Sequence, residues 1–169
     1  MKQLKSFKFL LAQRPLLVIL FFTLVFVACT KIDLYEKVVD VPGQAWKSTY
    51  KPSFTFEIKD TTAPYQLFLI LRHNNKYGYN NIWVAVQRKS PDGKVSTVPY
   101  ELKLATNEKG WLAEGMDDLY VHRIPLTPPA NDTFYFNRSG AYTFTVEQTM
   151  REDPLQHIMN VGLRIEKKQ

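Results

Sequence analysis

The chain has 169 residues, with 22 Lys or Arg against 16 Asp or Glu, a formal charge of +6, and a single cysteine. Four of the cations, Lys2, Lys5, Lys8 and Arg14, stand in the first residues with no acid among them, so +6 less 4 leaves only +2 for the rest, with signs interspersed. That balance excludes electrostatic capture of nucleic acid, which needs a clustered basic face, and a lone cysteine excludes an internal disulfide.

Behind the amino-terminal cations, Leu16 to Ala28 is apolar except for Thr23. A membrane-crossing helix takes about twenty apolar residues, so the run reads as a cleaved secretory signal covering 1–28. It closes on Phe26-Val27-Ala28-Cys29, which resembles a bacterial lipobox: small Ala28 precedes a cysteine that is diacylated and becomes the new amino terminus. The expectation is a covalent lipid, palmitate included, on Cys29 and no other cofactor. Two or more acyl chains hold a protein stably at a membrane. A plain secreted protein and an uncleaved anchor are the alternatives, and all three put the remainder outside the cytoplasm, in the cell envelope, with inner or outer membrane undecided.

Residues 29–45 are weakly patterned and read as the lipidated end and a tether, with Val38 to Val41 an optional early strand; the domain is expected over 46–169. Ser53 to Ile58 alternates polar and apolar residues, the period of a half-buried strand. Asp60 to Pro64 turns. Tyr65 to Leu71 is nearly all apolar, with Tyr65, Leu67, Leu69 and Leu71 on one face, and belongs inside a sheet. Ile82 to Val86 is similar and ends at the turn Ser90-Pro91-Asp92-Gly93. Val98 to Leu104, Tyr120 to Leu126, Phe134 to Phe136, Ala141 to Gln148 and Val161 to Ile165 supply further strands. Short turns of helix fit best at Glu114 to Leu119 and Asp153 to Asn160. Seven to nine short strands predict an all-β chain, a single β-sandwich with jelly-roll or Greek-key connections.

Several stretches then read together: Arg72-His73-Asn74-Asn75 with Tyr77 and Asn80-Asn81-Ile82-Trp83; Gly110-Trp111-Leu112; Gly140-Ala141-Tyr142-Thr143-Phe144; and Gln148, Met150-Arg151, Leu155 and Val161-Gly162-Leu163-Arg164-Ile165. In that order, behind a lipoprotein signal, they resemble the gliding motility lipoprotein family GldH of Bacteroidetes, over roughly Trp46 to Lys167. The resemblance implies an envelope lipoprotein associated with the gliding machinery and type IX secretion, partnered by other envelope proteins, with no known catalytic activity. Members occur in bacteria that do not glide, so a general envelope or secretion role stands beside locomotion.

The residues offer little chemistry. His73, His122 and His157 lie far apart, and none has the spacing of a zinc pair; the expected places are a strand end at the surface, a wet strand face and a turn. No Gly-x-Ser-x-Gly elbow is present, and Ser139-Gly140 reads as a turn. Glu114, Asp117 and Asp118 are solvated acids on the plain reading; paired hydrolase carboxylates and part of a calcium site are the alternatives. No catalytic or metal-binding residue is assigned.

The candidate partner-binding loop is Arg72 to Trp83, with Arg72, His73, Asn74, Asn75, Tyr77, Tyr79, Asn80, Asn81 and Trp83 as its site residues. Asn and Tyr bind partners at low entropic cost, and loops on rigid sandwiches commonly carry recognition. The alternative is that the asparagines serve turn geometry alone while Tyr77 and Tyr79 pack onto the core. Trp46, Trp83 and Trp111 are either core plugs or a platform for a glycan, such as peptidoglycan or a surface polysaccharide.

Overall fold

Alternation along the chain becomes two facing antiparallel sheets. The structure, a computed structural model, describes residues 34–116, 118–127 and 133–168. Its strands are β1 (Leu34–Asp40), β2 (Ala45–Trp46), β3 (Ser53–Ile58), β4 (Tyr65–Asn74), β5 (Asn81–Lys89), β6 (Val95–Lys103), β7 (Ala105–Thr106), β8 (Gly110–Trp111), β9 (Glu114–Met116), β10 (Leu119–Pro125), β11 (Gly140–Gln148), β12 (Leu155–Gln156) and β13 (Ile158–Lys167). One sheet has the order β1-β13-β4-β10-β9 and the other β3-β11-β5-β6. The eight long strands, counted along the chain, thus lie first-eighth-third-sixth in one sheet and second-seventh-fourth-fifth in the other. This is the jelly-roll order, two interlocked Greek keys. Asp33–Gln169 forms one compact unit, and the segment Met1–Ile32, with the signal and Cys29, lies outside the described residues.

Phe54, Phe56, Ile58, Leu69, Leu71, Val84, Val86, Phe144, Val146 and Leu163 fill the space between the sheets and are buried. Each such side chain contributes about 1.5–3 kcal/mol of transfer free energy. Tyr35 of β1 meets Phe56 of β3 across the layers, ring centroids 5.2 Å apart. The base of the sandwich is the end where β1 starts and β13 finishes, with Leu34 opposite Glu166 and Tyr65 opposite Lys167. At the top, Asp40 pairs with Asn160 and His73 with Ile158.

Four expectations change. Strand β1 occupies Leu34–Asp40, within the stretch read as tether, and pairs along its whole length with β13. Glu114 to Leu119 is not a helical turn but a hairpin, β9 pairing with β10, because Gly115 lets the Tyr120 ring lie against the backbone where a Cβ would meet it at 3.0 Å. Asp153 to Asn160 likewise holds bends, β12 and the start of β13, since Leu155 and Ile158 are drawn fully into the core. Phe134 to Phe136 shrinks to a single bridge, Phe134 to Tyr65.

Candidate functional site

Arg72, His73 and Asn74 finish β4, and Asn81 and Trp83 belong to β5, so the loop proper is Asn75 to Asn80, at the top. Its amides are held within the fold. Asn74 Nδ2 donates to Gln44 Oε1 (3.0 Å) and its Oδ1 accepts from the Lys76 amide (2.9 Å). The side chain of Asn75 donates to that of Asp118. Asn80 receives the Leu104 and Ala105 amides at its carbonyl (2.8 and 3.0 Å), and Asn81 Nδ2 donates to Glu101 Oε1 (2.8 Å). Tyr77 is buried, its hydroxyl donating to the Asn81 carbonyl (2.9 Å). Arg72 is half-buried on the outer face of its sheet.

His73 and His122 are both fully buried, contrary to the surface places expected for them. Their Nε2 atoms lie 2.9 Å apart. His73 Nδ1 is 2.8 Å from the Asn74 carbonyl, which can only accept, so Nδ1 carries the proton and Nε2 is left as acceptor; His122 therefore donates from Nε2. That assignment leaves His122 Nδ1 a bare lone pair, without a hydrogen bond of ordinary length. Burial pushes His122 down to about 4, the facing His73 adds to the shift, and the Leu112 backbone weakly opposes it. His73 is also lowered by burial, against the pull of the Asn74 carbonyl. The His73 ring touches Trp111 (4.5 Å between centroids), Tyr77 (5.0 Å) and Tyr120 (5.3 Å). This enclosed neutral pair is a structural hub: it braces the loop through Tyr77 and the β7–β8 ribbon through Trp111. His157, by contrast, does sit at a turn, with φ +70°.

Two large aromatics stand exposed at the top, beside Asn75, Lys76 and Asn80. Tyr79 is 40% and Trp83 42% exposed. With Asn81, Met150, Arg151 and Glu152 they line a groove of about 450 Å3. Tyr79 donates to Glu152 Oε2 (2.8 Å), and the Trp83 amide to Met150 Sδ (3.3 Å). Trp46 is fully buried and Trp111 packs against the core, so the three tryptophans form no common platform. Met150 to Glu152 come from the β11–β12 connection, and nothing in the Arg72 to Trp83 stretch signals their approach. Of the acids, Glu114 is on the exposed edge strand β9, Asp118 is held by Asn75, and Asp117 lies outside the described residues.

A sequence model of the GldH lipoprotein matches residues 33–165. The chain belongs to the GldH lipoprotein family. A protein of Christiangramia forsetii named gliding motility lipoprotein GldH homolog is 27% identical over 157 residues, 89% of this chain and 93% of that one. The gliding motility lipoprotein GldH of Flavobacterium johnsoniae is 28% identical over 154 residues, 83% of this chain and 89% of its own length. Among solved structures, a non-crystalline cellulose specific carbohydrate-binding module, CBM28, covers 79% of this chain and 73% of its own with 12% identity and a TM-score of 0.44, a likeness too slight to bear on fold or ligand. The family match begins at residue 33, next to the first described strand, so β1 is part of the GldH domain rather than a spacer before it.

Proposed function

We propose that this GldH-family chain is a cell-envelope lipoprotein, acylated at Cys29, that serves a gliding motility or type IX secretion-associated assembly through protein contacts and performs no chemistry of its own. The observation that carries the reading is the Tyr79–Trp83–Met150–Arg151 groove. Tyr, Trp and Arg dominate contact energetics where they are exposed in a packed depression, and this depression is braced from beneath by Tyr77 and the histidine pair. The loop asparagines take a supporting part, since their hydrogen bonds hold the groove's shape.

The test is affinity purification of the tagged full chain from membranes, beside a Tyr79→Ala/Trp83→Ala variant with an unchanged melting temperature. Named motility or secretion proteins should fall by roughly thirtyfold, the equivalent of one lost hot spot of about 2 kcal/mol. Capture at the wild-type level by the variant removes the groove from the reading. Cys29→Ala reports separately on the anchor and should move the protein out of the membrane fraction. A glycan reading stands second, favoured by hydroxyls on the same outer sheet face as Trp83, where Ser53 pairs with Thr145 (2.7 Å) and Thr55 with Thr143 (2.9 Å). Retention of the wild type, but not Trp83→Ala, on insoluble peptidoglycan or polysaccharide would put that reading first.

A further inference from the structure

The base has a different composition from the top. Strands β4 and β6 begin there and β3, β5, β10 and β13 end there, bringing Lys59, Arg88, Lys89, Lys94, Arg138 and Lys168 to one end of the sandwich. At that end, between the β5–β6 hairpin and the segment that leads into β11, opens a cavity of about 630 Å3 whose lining includes Arg88, Ser90, Asp92, Lys94, Tyr135 and Arg138. Asp92 is the one carboxylate in this lining, and it faces both Arg138 Nε (3.5 Å) and Lys94 Nζ (3.8 Å). Arg88 projects inward from β5 with its guanidinium 5.0 Å from the Phe134 ring centroid, and its Nε is buried without an acceptor. Three cations around one acid, one of them with an unsatisfied donor, make a site for a phosphate. At its rim, Tyr135 and Val95 are each 56% exposed, the most exposed large apolar side chains among the described residues. Cations interspersed with exposed apolar groups are the composition of a surface that rests in lipid headgroups.

Chain length says which way this end faces. Only Thr30 to Asp33 stand between Cys29 and the start of β1 at Leu34, a reach of no more than about 18 Å when fully extended. Leu34 is at the base. Acyl chains on Cys29 therefore hold the base against the headgroups and leave the top facing away.

We propose that the base is a second membrane contact, in which the Arg88–Lys94–Arg138 cavity takes the headgroup phosphate of an anionic phospholipid in the leaflet that carries the anchor. The orientation part of this inference rests on acylation at Cys29; the cavity part does not. Each Lys or Arg near an anionic surface adds a fewfold to binding, an effect that fades within a Debye length as salt rises.

The experiment uses the full-length protein purified from membranes and mixed with vesicles of phosphatidylcholine alone or with phosphatidylglycerol added. Flotation reads the anchor, and the rate of tryptic cleavage after Lys94 and Arg138 reads the base. Protein floating with both vesicles, but cut at least about tenfold more slowly on the anionic ones and released from that protection by high salt, is the expected result. An Arg88→Gln variant, which keeps both cleavage sites, should lose much of the protection. Equal cleavage on both vesicles by floating protein overturns the headgroup contact while leaving the anchor intact. Flotation with anionic vesicles alone means that the anchor is absent and the base binds by itself. Flotation with neither overturns both. Equal protection by inorganic phosphate without vesicles identifies a site for free phosphate and overturns the lipid assignment.

Discussion

The two ends of the sandwich are built from the same alternating strands and solve opposite problems. At the top, most polar groups of the loop are bonded within the fold: the asparagines hold backbone and side-chain partners, the two neutral histidines share one hydrogen bond, and Tyr79 and Trp83 face outward beside exposed Asn75, Lys76 and Asn80. At the base, Phe56, Tyr65, Phe134, Phe136 and Tyr142 seal the core while cations stand around one acid. The difference teaches that exposure of an aromatic carries information only beside an account of where the polar groups around it go. A mostly bonded polar loop leaves the ring as the contact; a cluster of cations makes the ring an accessory to charge.

All three tryptophans lie toward the top, so their fluorescence gives a local probe with which to break the comparison. The largest effect is expected from Phe136→Ala at the base. Its ring meets Tyr142 (4.7 Å), Phe134 (4.8 Å) and Tyr65 (5.2 Å) and is almost completely buried. Truncation should cost about 3–5 kcal/mol in urea unfolding, read by the tryptophans at the far end. A tryptophan transition that stays put while the tyrosine signal shifts would show the two ends unfolding separately.

Acid should act at the top. A histidine that titrates near 6.5 in the unfolded chain and at about 4 when folded binds its proton first in the unfolded state, so stability falls as the pH drops between these values. The loss reaches at most roughly 3 kcal/mol, and His122→Phe should remove most of it in melts compared at pH 7 and 4.5. A wild-type melting temperature that does not change over that range would refute the buried neutral pair. Asp60 and Asp153, held below the usual carboxylate range by Lys167 and Ser48 respectively, add their own losses only at lower pH.

A smaller change is expected at Gly162, which lies under β1. A Cβ there would meet Val38 Cγ2 at 2.7 Å and the Lys37 carbonyl at 2.8 Å. Gly162→Ala should cost about 1–3 kcal/mol, with the fastest-rising hydrogen exchange in β1 rather than at the top. Uniform acceleration over both sheets would mean that β1 has no separate strength.

The strands with clean alternation were legible from sequence: Ser53 to Ile58 is β3 to the residue, and the buried face Tyr65, Leu67, Leu69 and Leu71 is the face observed. His73 continues that same two-residue parity, so its burial was written in the pattern even though histidine chemistry pointed outward. Strand β1 was harder because Leu34, Tyr35, Val38 and Val39 come in adjacent pairs around exposed Glu36 and Lys37, so no two-residue alternation marks it. The clustered acids around β9 resembled a helix start, where a glycine and a tyrosine instead close a hairpin. Of the site, the loop's position and Trp83 were readable; Met150, Arg151 and the histidine contact were not, because each joins segments distant in sequence through the jelly-roll crossing.

The ladder between β1 and β13, running from Leu34 opposite Glu166 to Asp40 opposite Asn160, also sets how the domain bears tension. A tug entering at Leu34 and balanced by whatever grips the top is directed along the strand. It loads the rungs in shear, all sharing the force, rather than peeling them one after another. A module pulled at its first strand and held at its top yields only when many of these hydrogen bonds fail together.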